Sequence, residues 1–121
     1  MKVIYENRVK ALGSCVHEFQ DEHMFIIFGD NAPEELRDYC YSVDVNPING
    51  TILAGQTLEV GGSSYQITAV GPEAPVTLAG LGHCTINFSG QDTVDLPGTI
   101  YVENKPMPEI GVGTVIRIVE G

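Results

Sequence analysis

Three histidines, His17, His23 and His83, are the side chains best suited to covalent or acid–base chemistry in this sequence. Imidazole is both a competent nucleophile and a good leaving group near neutral pH. His17 and His23 stand in Val16-His17-Glu18-Phe19-Gln20-Asp21-Glu22-His23, too far apart to share one face of a helix. That stretch reads as a solvated acidic turn between two strands, with metal binding as the alternative.

His83 lies in Leu81-Gly82-His83-Cys84-Thr85-Ile86-Asn87-Phe88. Strand alternation assigns Cys84, Ile86 and Phe88 to the core and leaves His83, Thr85 and Asn87 on the opposite face. Gly80 and Gly82 leave the peptide before the imidazole bare, so N–H groups can approach an anion, and Thr85 adds a hydroxyl on the same face. Taken together, His83 as acceptor with Gly82 and Thr85 as donors make a phosphoryl cradle. The competing reading is a histidine that hydrogen-bonds a neighbouring loop on the rim of the fold.

Other chemistries lack their parts. The sequence contains no P-loop, no GxGxxG after a strand, no HExxH and no GxSxG. Glu34 and Glu35 read as acids at a helix start, and Asp92 and Asp95 bracket a turn before Leu96-Pro97-Gly98, so no carboxylate pair divides acid from base. Cys15, Cys40 and Cys84 are widely spaced, form no zinc-ligand pattern and are odd in number, which suits a reducing compartment and core-filling roles. No metal and no cofactor are expected.

The elements that must hold these residues are mostly strands. Apolar residues recur at every second position, and 14 glycines and 7 prolines cut the chain into short pieces. Strands are expected over residues 2–12, 24–28, 57–60, 64–70, 83–88, 98–103 and 113–119, with Gly61-Gly62 closing a tight hairpin. The fold class is all-β, a small closed or nearly closed barrel of about six main strands. One short helix is expected from an Asn31 N-cap through Pro33, Glu34 and on to Tyr39, and a lesser helical turn over residues 76–81.

Size and charge set the outer limits. With 121 residues and 43% hydrophobic content, the chain is one domain over residues 1–121 and can build its own core. Its 16 acids against 6 cations give a formal net charge of -10. The cations (Lys2, Arg8, Lys10, Arg37, Lys105 and Arg117) are scattered singly, which excludes nucleic acid and anionic membrane as partners and favours a partner with a basic surface. The N-terminus carries no signal-peptide pattern, and the chain reads as cytoplasmic.

Several short elements, in order and in register along almost the whole chain, carry a resemblance. They are Ala32-Pro33 followed by Glu-Leu, Tyr39-Cys40, Gly50, Thr68-Ala69-Val70-Gly71, Leu81-Gly82-His83 and Leu96-Pro97-Gly98-Thr99. With them the chain resembles the glucitol/sorbitol-specific enzyme IIA component of the bacterial phosphoenolpyruvate-dependent sugar phosphotransferase system. The resemblance implies a cytoplasmic closed β-barrel that takes a phosphoryl group from the carrier HPr onto a histidine. It would hand that group to the IIB part of a IIB/IIC permease during hexitol uptake, without a cofactor, and meet the membrane only through that permease. The family's acceptor histidine falls just after the Tyr-Cys pair, at Val43 here, and valine carries no phosphate. Neither Ser42 nor Asp44 replaces it, a serine ester being too stable to pass on and an acyl phosphate needing magnesium. Two readings follow: a phosphocarrier using His83, with Asp44 orienting the imidazole, or a non-catalytic paralogue that binds a partner or small molecule.

Overall fold

Period-two apolar patterning becomes strand in short segments spread along the chain, in a computed structural model that describes residues 2–30 and 32–120, side chains 19–21 excepted. The strands are β1 (Lys2–Arg8), β2 (Ala11–Leu12), β3 (Met24–Phe28), β4 (Tyr41–Ser42), β5 (Thr57–Val60), β6 (Ser63–Val70), β7 (Cys84–Asn87), β8 (Thr99–Val102) and β9 (Val115–Glu120). They form a 9-stranded sheet in the order β1-β9-β5-β6-β8-β7-β3-β4-β2. Its pairings are antiparallel except β3 with β4 and β7 with β8.

Where the pattern leads to an all-β fold the chain is mostly β, and the closed barrel of about six strands is not observed. The hydrogen-bond ladder is open, with β1 and β2 at its two ends. The cause lies in the run read as one strand over residues 2–12. At Val9 its N–H donates to Thr114 O at 2.9 Å, and at Lys10 to Ser42 O at 2.7 Å, so the chain leaves β9 and crosses to β4. One alternating segment thereby supplies both edges of the sheet. β2 and β4, at 2 residues each, are too short for any periodicity to announce.

Among the described residues, α-helix is confined to two places. The eight-residue α2 (Ala74–Leu81) carries Pro75 in its first turn, where no N–H is missed, and stops at Gly82 in the left-handed region. It is longer than the turn expected over residues 76–81. The helix expected over residues 31–39 shortens to one turn, α1 (Glu34–Arg37), preceded by Pro33 without a side-chain cap; Asn31 lies outside the described residues. The acidic stretch around His17 winds into a 3-10 segment, Val16–Glu22.

Both faces of β3 are covered, as its unbroken apolar sequence requires. Phe25 and Ile27 enter the main core with residues such as Ile4, Leu58, Ile86 and Ile100, all at most 2% exposed. Burying each such side chain contributes about 1.5–3 kcal/mol. On the other face Phe28, Ala32 and Cys40 form a small second cluster against Ile26. The crossover between the parallel strands β3 and β4 runs through α1 and closes over this second cluster. Among the described residues no helix is long and apolar enough to cross a membrane.

Candidate functional site

His83 occupies the one-residue joint between the α2 cap and β7. Its backbone is held from both sides by a single residue. Thr77 O accepts the His83 N–H at 3.2 Å, and the Thr77 hydroxyl donates to His83 O at 2.8 Å. The joint is also fixed from below. Gly29 N–H donates to Leu81 O at 2.9 Å, and a Cβ on Gly82 would sit 3.0 Å from Gly29 N and 3.2 Å from Asp44 O. With φ at +69°, Gly82 is at a position where a side chain is disfavoured both by conformation and by space.

The imidazole is then oriented by β3. His83 Nδ1 lies 3.2 Å from the Ile27 carbonyl oxygen, and the ring stacks on Phe28 at 4.3 Å between centroids and 28° between planes. A carbonyl only accepts, so Nδ1 carries the proton, and in the neutral form of the ring the lone pair is on Nε2. Among the described residues Nε2 has no hydrogen-bond partner. The half-buried ring lines a cavity of about 410 Å³ with Ile26, Glu35, Leu36, Tyr39, Cys40 and Thr85. It is therefore an oriented imidazole with a free lone pair beside a space large enough for a phosphoryl group.

The other expected residues fare differently. Thr85 does share the cavity with His83, as strand alternation requires. Gly82 is at the joint, but its N–H is taken by the Leu78 and Thr77 carbonyls of the α2 cap, so it is not a donor for an anion. Its contribution is the left-handed turn that presents His83. Asp44 does not orient the imidazole. Its Oδ1 accepts from Lys10 Nζ at 2.9 Å, and Lys10 also reaches Asp30 Oδ2 at 2.6 Å, while the Ile27 carbonyl holds Nδ1. Val43 is fully buried in the main core, and its N–H donates to Phe28 O at 3.0 Å. Position 43 thus does not line the cavity.

His17 sits apart, in a separate cavity of about 350 Å³ lined also by Tyr41, Met107, Pro108, Glu109 and Ile110. His23 adopts a positive φ of 58° at the end of the 3-10 segment, and its carbonyl accepts from Phe88 N–H. Among the described residues no group of three or more His, Cys, Asp or Glu could hold a metal ion. Cys40, although it lines the cavity, is no nucleophile, because burial pushes its thiol up to about 11.

Sequence reasoning missed Ile27, whose carbonyl orients the ring, because a backbone acceptor has no residue signature. It also missed the α1 wall, since Glu35 was assigned to a helix start. The stack of Phe28 on His83 follows from the β3 to β7 pairing, a long-range register that local patterning does not encode.

The profile of one family, described as the PTS system glucitol/sorbitol-specific IIA component, matches residues 4–117. Proteins of the same description from Shigella flexneri and Escherichia coli (strain K12) are each 31% identical over 117 residues, 97% of this chain and 95% of theirs. The crystal structure of a PTS system IIA component from Enterococcus faecalis V583 superimposes with a TM-score of 0.78 at 25% identity. The match covers 93% of this chain and 97% of that one.

Proposed function

We propose a phosphoryl relay through His83 for this chain, which belongs to the PTS glucitol/sorbitol-specific IIA component family. Residues 1–121 act as a single domain in the cytoplasm. The donor is an HPr-like phosphocarrier, and the recipient is the IIB part of a IIB/IIC permease that takes up a hexitol. The observation that carries this reading is the 3.2 Å contact of His83 Nδ1 with the Ile27 carbonyl, which leaves Nε2 as the basic nitrogen.

In the first step the Nε2 lone pair bonds to the phosphorus of the donor's phosphohistidine, and the donor's N–P bond breaks with its electron pair returning to the donor ring. His83 becomes positively charged, and its Nδ1–H then makes a charge-assisted hydrogen bond to Ile27 O. The second step is the same displacement with the recipient as nucleophile. The phosphoryl group is transferred with little covalent help, so orientation is the protein's main contribution. The Thr85 hydroxyl is the cavity donor for a phosphoryl oxygen.

Incubation with phosphoenolpyruvate, enzyme I and HPr, followed by intact mass, tests the proposal. The expected result is one acid-labile, base-stable phosphoryl group, retained in His17→Ala and lost in His83→Ala. Label that survives His83→Ala would assign the wrong histidine. A second reading, a non-catalytic member that binds a partner or small molecule, is favoured by Val43 at the family's acceptor position. It predicts no mass gain at all.

A further inference from the structure

We infer that Glu35 sets the phosphoryl-transfer potential of His83, an assignment that rests on the relay reading above. A site that stores a dianion would ordinarily surround it with cations. Here Glu35 is the one carboxylate, and no Lys or Arg is found, among the described residues that line the cavity beside His83.

None of the six cations lines that cavity. Lys10 is bound to Asp30 and Asp44, Arg37 Nη2 donates to Ala32 O at 3.2 Å, Lys105 pairs with Glu103, and Arg117 pairs with Glu6 and Glu59. Lys2 and Arg8 do not line the cavity either, and Arg8 faces a separate one together with Asp44. A phosphoryl group bonded to Nε2 therefore shares its space with a carboxylate and with no cation.

Like charges lining one small cavity repel, and at an exposed carboxylate such as Glu35 solvent and salt screen the repulsion. Glu35 thus raises the phosphorylated form relative to the unmodified one, and losing the phosphoryl group relieves the repulsion. The carboxylate does no bond making. It keeps the relay from becoming a trap.

The test needs no protein partner. Phosphoramidate phosphorylates the chain in a background with His17→Gln and His23→Asn: Nε2 of His83 bonds to phosphorus, the P–N bond of the reagent breaks, and ammonia leaves with a proton. The lifetime of the adduct is then followed by intact mass. Glu35→Gln removes the charge from an exposed residue while preserving its shape, and Glu109→Gln, in the separate His17 cavity, is the control.

The expected result at low salt is a lifetime about three- to tenfold longer in Glu35→Gln, narrowing when salt shortens the screening length, with Glu109→Gln unchanged. An equal or shorter lifetime in Glu35→Gln overturns the inference, as does a difference that salt leaves intact. If phosphoramidate labels His83 but phosphorylated HPr does not, the relay reading fails alone and the lifetimes still decide the role of Glu35. If neither reagent labels His83, both fall.

Discussion

At the scale of single residues, the reactive imidazole is held by groups that never meet the phosphoryl group. The Thr77 hydroxyl has one proton and three carbonyls in reach, Glu73 at 3.2 Å, Ala74 at 3.3 Å and His83 at 2.8 Å. The shortest contact ties the helix to His83, so Thr77 is a positioning residue. Thr77→Val removes that donor at nearly constant volume and should slow labelling of His83 by about tenfold, given what small misplacements cost in transfer reactions. Thr77→Ser should restore it. Nitrogen chemical shifts of the ring separate positioning from general damage: the valine variant should mix the two tautomers, while wild type and serine keep the proton on Nδ1. Unchanged tautomers in the valine variant would remove the role. Thr77 is also where the sequence falls silent. His83 and Thr85 are legible from alternation, and so is the inward course of Cys84, Ile86 and Phe88, each at most 2% exposed. The clamp joins a helix residue to the joint residue through the backbone N–H and carbonyl of His83, and backbone partners are not encoded by residue type.

At the scale of elements, the joint between α2 and β7 does the presenting, and Gly82 makes it possible. A left-handed residue is needed to end the helix and turn the chain at once into the ladder with β3. Gly82→Ala should destabilise the fold by about 1–3 kcal/mol, combining the cost of a side chain at positive φ with the close approach of Gly29 and Asp44 backbone atoms. Denaturant titration reads that loss. The variant should also lose the Phe28 to His83 stack, seen as altered ring-current shifts, because the turn must open to admit the methyl group. A stability equal to wild type would mean that neighbouring backbone yields freely. Here the sequence misleads in an instructive way. Gly82 draws attention as a bare N–H donor, whereas its N–H is already spent on the helix cap. Bare peptide near a histidine has two explanations, and only the carbonyls around it decide between them. The edge strands illustrate the same limit: the run over residues 2–12 alternates throughout, yet its change of partner at Val9 and Lys10 depends on Thr114 and Ser42, far away in sequence.

At the scale of the whole molecule, the core is the part most sensitive to alkali. Burial pushes the Cys84 thiol up to about 12 and the Tyr5 hydroxyl up to about 12, the latter despite the amide hydrogen bond from Asn7, and pushes Cys40 up to about 11. These groups are acids whose folded-state pKa exceeds the unfolded value, so the folded state holds their protons longer. The stability each contributes is fully present below its unfolded pKa, about 9 for a thiol and about 10 for a phenol, and is lost as pH rises through the folded value. Each group steepens the loss by at most about 1.4 kcal/mol per pH unit inside its window. Repulsion within a chain of net charge -10 adds its own decline as the lysines discharge, so a falling curve by itself proves little. The difference between two variants isolates the buried thiol. Cys84→Ala should be less stable than wild type at pH 7, having lost packing in the main core. Between pH 9 and the region near 12 its unfolding free energy should fall less steeply, so the two curves converge. Urea titrations across that range measure both slopes, and curves that stay parallel would show that Cys84 keeps no proton the unfolded chain gives up.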